Sequence, residues 1–343
     1  MGKAITIRDI AKEAKVSPTT VSRYLNGTGY VDEQTASRIC EVVERFHYRP
    51  NRIAQSLKTK ETKNLVLVVP DIQNPFYSKM ANEMQRFLFE EGYTVTLFDS
   101  GGEFSMEMKY LGIADAIAAD GILFASFSSH QTILRELQRS GVPVVMINSY
   151  DACPFDSVHG VRGQSTYLST KHLIALGHTD IGFAGGNTGT SIEVSRRAGY
   201  LRAMQEAGLP VPGEYVFEMG FDSGSGRKCG TYFSALPKMP TAICCANDMI
   251  AMGVIQVLLE RRYKLPRDVS VTGVDNIMYG DLCSPPLTSV TNDSSEFAHL
   301  AVSALLERIR GTYTGGPREF LIQRRLVVRG STAAPKSKEC ELR

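Results

Sequence analysis

The sequence predicts two unlike parts: a small all-α helix-turn-helix unit at the amino end, and an α/β body built of two doubly wound parallel-sheet subdomains. Three observations predict this. Between Ile7 and Phe46 apolar residues recur at helical spacing in three short blocks. From Asn64 onward, short continuous apolar runs alternate with helix-length segments, the pattern of strands buried on both faces. The chain has 343 residues, too many for one core, and 43% of them are hydrophobic, enough to fill several.

In the first block Thr6 precedes Ile7, Ile10, Ala11 and Ala14, and Asp9 stands three residues after Thr6 as in a capping box. The spacing predicts a helix from about Ile7 to Lys15. Ser17 then serves as an N-cap, with Pro18 at the first helical position, where its missing N–H costs nothing. In this second helix Val21 and Leu25 face inward, which leaves Thr19, Thr20, Ser22 and Arg23 outside. Asp32 caps a third helix with Ile39, Val42, Val43 and Phe46 inward. Three short helices sharing one small core make a helix-turn-helix unit, whose second helix enters the major groove and reads base edges.

The charge distribution agrees with an anionic partner for that unit. The whole chain carries +2, but residues 1–63 hold six Lys and six Arg against seven acids, a net +5, and the remainder carries −3. No stretch reaches the roughly 18 apolar residues of a membrane span, and MGKAITIRDIAKEA is charged where a secretion signal is apolar, so a cytoplasmic protein without a membrane partner is expected. The seven cysteines, Cys40, Cys153, Cys229, Cys244, Cys245, Cys283 and Cys340, show no CxxC pair or zinc-ligand spacing and are expected to be reduced thiols, mainly core fillers.

In the body, the predicted strands are Leu65–Val69, Thr94–Phe98, Gly121–Ala125 and Val144–Ile147 in a first half, and Asp180–Ala184, Tyr215–Met219, Thr241–Cys245 and Val269–Val274 in a second. Open α/β sheets bind ligands beyond the carboxyl ends of their strands, so two facing halves enclose a cleft. The residues at those ends are polar or aromatic: Asp71, Phe76, Asp99, Ser126, Asn148, Phe221, Asn247 and Asp275. Glycines cluster at 185, 186 and 189 and at 224, 226 and 230, yet neither cluster forms a GxGxxG after a strand or a GxxxxGK[ST] loop, and HExxH and GxSxG are absent. An enzyme is therefore not expected, nor a metal, nor a cofactor. His172 and His178 read as structural.

IRDIAKEAKVSPTTVSRYLNG, followed by VDEQTASRI and YRPNRIAQSLKT, resembles the DNA-binding headpiece and hinge of the lactose-repressor/galactose-repressor (LacI/GalR) family. VVPDIQNPFY, ADGILFAS, HLIALGHTDIGFAGG, ANDMIAMG and LPRDVSVTGVDN extend the resemblance over the body to about residue 334. It implies a headpiece over residues 1–49, a hinge segment over 50–60 that becomes helical on DNA, and a periplasmic-binding-protein-like (type I) body over 61–334. Within that body it implies an N-subdomain of about 61–162 and 293–324 and a C-subdomain of about 163–292 and 325–334, with a tail over 335–343.

The resemblance also implies site residues. Pro18 and Thr19 match the variable base-reading positions, and Thr20, Ser22, Arg23, Asn26 and Tyr30 match further DNA contacts. In the hinge, Asn51 and Ala54 match DNA contacts and Leu57 matches an apolar wedge between central base pairs. The effector set is Phe76, Ser126, Asn148, Arg196, Phe221, Asn247, Asp275 and Asn292, with Arg197 a surface charge and Ile192 at a position that can be polar. The expected protein is thus a dimeric repressor of double-stranded operator DNA, responding to a small-molecule effector. A sugar is the first expectation, since planar Asp, Asn and Arg groups hold adjacent hydroxyls beneath aromatic rings; a purine corepressor is the alternative. The tail KSKECELR has no leucine heptads for a tetramer coil.

Overall fold

The computed structural model describes residues 5–27, 29–48, 61–127, 131–148, 153–186 and 189–336, and the chain forms two compact units, residues 1–62 and 63–343. The expected hinge residues Asn51, Ala54 and Leu57 lie outside the described residues.

The first unit contains α1 (Ile7–Glu13), α2 (Pro18–Asn26) and α3 (Glu33–Arg45). Asp9 closes the amino end of α1, its carboxylate accepting from the Thr6 N–H at 2.9 Å and the Thr6 hydroxyl at 2.7 Å. This helix stops short of Lys15, because Lys15 takes a positive φ of 53° and turns the chain toward α2. Ser17 Oγ caps α2 by accepting from Thr20 N–H at 3.1 Å, and Gly27, at φ 62°, ends it. Asp32 caps α3 through Thr35 N–H at 2.9 Å, and that bond holds the Asp32 carboxyl below its ordinary pKa. Ile10, Ala11, Ala14, Val21, Ile39 and Val42 are buried together, with Leu25, Val43 and Tyr48 partly buried around them. Phe46 departs from the inward position expected of it: it follows the last turn of α3, is exposed, and lies under the Arg45 guanidinium.

The second unit runs β1 (Asn64–Val69), α4 (Pro75–Glu90), β2 (Thr94–Asp99), α5 (Phe104–Ala116), β3 (Gly121–Ala125), α6 (Gln131–Ser140), β4 (Val144–Ile147) and β5 (Asp156–Gly160). It continues through α7 (Gln164–Ala175), β6 (Ile181–Gly185), α8 (Ser191–Glu206), β7 (Val216–Glu218), α9 (Ser223–Phe233), β8 (Ala242–Cys245), α10 (Asp248–Glu260), β9 (Ser270–Asp275) and β10 (Thr288–Thr291). The described chain closes with α11 (Ser294–Ile309), β11 (Glu319–Ile322) and β12 (Leu326–Val327).

These strands form two six-stranded sheets, in the orders β2-β1-β3-β4-β5-β11 and β7-β6-β8-β9-β10-β12. All pairings are parallel, as expected of doubly wound subdomains, except β10 with β12, which runs antiparallel at the edge of the second sheet. The chain passes between the sheets after β5, after β10 and after β11. Leu65, Leu67, Leu123, Phe297 and Leu305 are fully buried in the first core, and Phe183, Phe233, Ile243, Val254 and Leu258 in the second.

One buried carboxylate joins early and late segments. Asp156, at the start of β5, accepts from Arg308 on α11 at 2.6 and 3.0 Å and from Arg318 beside β11 at 2.8 Å, besides the Arg318 backbone N–H. Burial works to raise the Asp156 pKa, but the two guanidinium groups outweigh it and hold the carboxyl below its ordinary value. His172 and His178 tie the terminal segment to the second lobe, through Thr332 Oγ1 at 3.0 Å and the Ala333 carbonyl at 2.9 Å. Cys229, Cys244 and Cys245 fill the second core; Cys40, Cys153 and Cys283 are half-buried, so core filling describes only part of the set.

Candidate functional site

In the first unit the outer face of α2 is short, polar and accessible. Pro18, Thr19, Arg23, Asn26 and, beyond the helix, Tyr30 are exposed, while Thr20 and Ser22 are half-buried. Three of these side chains are engaged locally: the Thr20 hydroxyl shares a 2.8 Å hydrogen bond with Ser17 Oγ, and Asn26 Nδ2 donates to Ser22 Oγ at 3.3 Å. Tyr30, 89% exposed, offers a phenol to solvent with almost no packing support. A face of small hydroxyls with one long cation can approach a groove closely, because nothing on it projects far except Arg23.

In the second unit, a narrow inner cavity lies where the carboxyl ends of both sheets meet. The helix α4 contributes Asn74, Phe76 and Tyr77 to its lining; Asn74 caps that helix, accepting from Phe76 N–H at 3.0 Å, and so fixes the entry of the chain. Phe127 follows β3 and Asn148 follows β4 at a φ of 58°, a left-handed conformation that asparagine tolerates. From the second lobe come Ile192 and Arg196 on α8, Phe221 ahead of α9, Asn247 at the start of α10, Asp275 at the end of β9 and Asn292 after β10.

Seven of the eight expected effector residues therefore border one space, and Ser126 does not. Ser126 is buried, but its successor Phe127 takes the wall instead, because successive side chains at a strand end point to opposite sides. Asp71 and Asp99 are also turned to local work: Asp71 accepts from Gln73 N–H at 2.9 Å, and Asp99 from Gly101 N–H at 3.0 Å. Asn74, Tyr77 and Phe127 are lining residues that the strand-end rule did not find.

The cavity has a charged centre. Arg196 Nη2 donates to Asp275 Oδ1 at 3.2 Å, Asn292 Nδ2 donates to the same oxygen at 3.2 Å, and the Arg196 guanidinium stands 5.7 Å from the Phe221 ring centre. Burial pushes the Asp275 carboxyl above its ordinary pKa, against the opposing pull of Arg196, the buried Arg324 and Asn292. Asp275 also holds a φ of 103°, which a non-glycine residue adopts only when its surroundings impose it, at a cost of about 1–3 kcal/mol. Asn247 is saturated differently: Oδ1 accepts from Ile250 N–H and Nδ2 donates to the Phe221 carbonyl, both at 2.8 Å, so it positions Phe221. By contrast, the buried Oδ1 atoms of Asn148 and Asn292 have no hydrogen-bond partner among the described residues. Two acceptors, a shared carboxylate and a guanidinium beneath aromatic rings can bind a small ring that carries several donors.

The chain matches known proteins over nearly its whole length. Residues 6–51 match the family described as bacterial regulatory proteins, lacI family, and residues 170–332 match the periplasmic binding protein-like domain. It is 33% identical over 307 residues to the HTH-type transcriptional repressor PurR of Aliivibrio salmonicida, covering 89% of this chain and 92% of that protein. Identity with the HTH-type transcriptional regulator DegA of Bacillus subtilis is 34% over 339 residues, 96% of this chain and 98% of that one. Among solved structures, the lac repressor dimer bound to operator and the anti-inducer ONPF shares the fold at a TM-score of 0.86 and 23% identity, with 97% of this chain and 100% of that chain covered. The complex of transcriptional regulator CelR with cellobiose aligns at a TM-score of 0.72 and 25% identity over 95% of this chain and 99% of that one.

Proposed function

Since the chain belongs to the lacI family of bacterial regulatory proteins, and is a ligand-controlled DNA-binding repressor and not an enzyme, we propose that its effector is a sugar bound in the inner cavity. The observation that carries this reading is the cluster of Arg196, Asp275 and Asn292 beside the unsatisfied Oδ1 atoms of Asn148 and Asn292. Adjacent hydroxyls donate to those oxygens and to the carboxylate, while Phe76 and Phe221 cover the apolar ring face. That CelR was captured with cellobiose supports the same class. A second reading, a purine base, draws on the small tilt of 30° between the Phe127 and Phe221 rings, which suits a flat ligand entering between them.

On DNA, the exposed face of α2 reads the major groove, with Thr19 as discriminator. The operator is double-stranded and pseudo-palindromic, and two copies of the chain bind it. The expected dimer faces are apolar and exposed: Phe89 and Leu97 near the edge strand β2, and Met278, Tyr279 and Leu282 in the second lobe. Binding of operator places the protein in the cytoplasm. The sugar acts as an inducer, and reciprocity requires operator to weaken sugar binding by the same factor, about 5- to 150-fold for typical couplings.

The test is a thermal-shift screen of monosaccharides, disaccharides and nucleobases, followed by an operator mobility shift with each hit. One sugar should raise the melting temperature and release operator. A nucleobase doing so alone would replace the first reading with the second.

A further inference from the structure

Two acids that do not line the inner cavity face one another behind its second-lobe wall. Glu193, in the first turn of α8, is 2% exposed. Its Oε2 accepts from Gly186 N–H at 2.6 Å, whereas Oε1 is buried and is reached by no N–H or hydroxyl among the described residues. A second acid lies beside it. A β-carbon placed on Gly185 would come within 2.6 Å of both Glu193 Oε1 and Glu218 Cγ, so the two side chains converge over that glycine. Glu218 ends β7, pairs with Gly185 of β6, and keeps a side chain only 13% exposed.

The surrounding charges leave this pair to itself. Arg197, half exposed, approaches Glu218 Oε1 no closer than 3.8 Å, and Arg196, one turn after Glu193, is committed to Asp275. Cys229 on α9 and Cys244 on β8 act on Glu193 from behind, but burial pushes their thiols up to about 12 and about 11 and keeps them neutral. Asp222 caps α9 through Ser225. Two carboxyls this close do not both stay charged, and a proton held by one gives the other its donor. Burial, and after it Glu218, raise the Glu193 carboxyl from 4.5 to about 7, against the Gly186 N–H and the charge of Arg196. The folded state therefore keeps a proton that the unfolded state has released, so the pair's stabilisation is complete below pH 4.5 and is lost as pH rises through about 7.

Both acids lead to Phe221. Gly186, which Glu193 holds, backs the ring so closely that a β-carbon there would collide with it. From Glu218 the chain reaches Phe221 in three residues, pinned on the way by Met219 N–H donating to the Gly185 carbonyl at 3.3 Å. We propose that Glu193 and Glu218 form a proton-operated latch: one shared proton clamps the end of β7 to α8 behind Phe221, and its loss drives Glu218 toward Arg197 and loosens residues 216–222. Its bearing on ligand binding rests on the effector reading of the inner cavity; the latch itself does not, and is measured without ligand.

Infrared spectroscopy of the full-length protein detects a protonated carboxyl directly. Subtracting the spectrum of Glu193→Gln from that of the wild type at each pH removes Asp248 and the other acids. The remaining band should vanish as pH rises through about 7. With Glu218→Gln in both chains it should vanish at least about one pH unit lower, because the like charge is gone. Hydrogen exchange at about pH 8 reads the clamp: residues 216–222 should exchange at least about threefold more slowly in Glu193→Gln than in the wild type, since the Gln amide donates to Glu218 with no proton to lose. A missing band, or one that Glu218→Gln leaves in place, overturns the shared proton, and equal exchange overturns the latch. If melting curves show that Glu193→Gln does not fold, Glu218→Gln is set against the wild type instead. The band at about pH 6 should then be lost and the exchange at about pH 8 slowed; failure of either overturns the proposal.

Discussion

Phe127 and Phe221 meet across the cleft with ring centroids 4.8 Å apart and planes tilted by 30°, one ring following β3 of the first sheet and the other preceding α9 of the second. The contact joins the two cores, since Phe127 packs against both. It also narrows the inner cavity, so that on the proposed reading a ring-sized effector parts these two side chains.

Gly186 offers a way to test that gate. A methyl group added there would collide with the Phe221 ring, so Gly186→Ala should push the ring toward Phe127 and into the cavity. The expected result is a loss of ligand affinity of about tenfold or more with a destabilisation of about 1–3 kcal/mol, read from ligand-dependent melting curves. A variant with an unchanged ligand shift would show that Phe221 is not the gate.

Arg196→Gln should destabilise the body by about 3 kcal/mol, the lower end of the range for breaking a buried pair, because Asn292 and the charge of Arg324 still serve Asp275. Adding Asp275→Asn should recover part of that loss, since the stranded charge is then gone. Urea unfolding of the two single variants and the double variant closes the cycle; strictly additive losses would contradict the pairing.

Asp248 makes the stability of the second lobe depend on pH. It is fully buried, accepts from Ser289 Oγ at 2.6 Å and from Ile277 N–H at 2.8 Å, and burial together with the Asp275 charge raises its pKa from 3.8 to about 8. The folded state then binds a proton that the unfolded state has released, so this group's contribution is complete below pH 3.8 and is lost as pH rises through about 8. Asp248→Asn, whose amide oxygen can accept from Ile277 N–H while its Nδ2 donates to Ser289 Oγ, should flatten that dependence. Denaturant melts between these limits check it, and an unaltered slope would refute the assignment.

Asp156→Ala should cost about 3–5 kcal/mol, because it leaves Arg308 and Arg318 without their shared partner. Chemical denaturation measures this, and a change below about 1 kcal/mol would reduce the clamp to the worth of a surface pair.

On the headpiece, Arg23→Ala should lower the slope of log affinity against log salt by about 1 for operator and non-specific DNA alike, the signature of a phosphate contact. Thr19→Ala should instead relax sequence preference with little change in slope. Binding isotherms at several salt concentrations separate the two roles, and exchanged behaviours would reverse the assignment.

Eight strands were legible because their core-facing residues are continuous apolar runs, such as Leu65–Val69 and Gly121–Ala125. The other four were not. Asp156–Gly160 reads DSVHG and Thr288–Thr291 reads TSVT, where buried polar side chains find partners far along the chain: Asp156 in Arg308 and Arg318, Ser289 in Asp248. A local pattern cannot announce a residue whose burial is made tolerable by one more than 40 or 150 positions away. The inner cavity was legible through strand ends, apart from Phe127 and Ser126, which exchange roles by one residue of alternation. Tyr77 and Asn74 sit on a helix start, where no strand-end rule applies.

The three passages of the chain between the sheets bear on how the protein is made. The first lobe is started by β1 but finished by α11 and β11, so its core lacks Phe297, Ala301 and Leu305 until residues beyond 300 have left the ribosome. The amino-terminal unit, contiguous within residues 1–62, has no such wait. During synthesis a finished reader of DNA thus precedes its regulator by most of the chain, and a message broken off before residue 294 would yield that reader attached to an aggregation-prone, uncovered sheet.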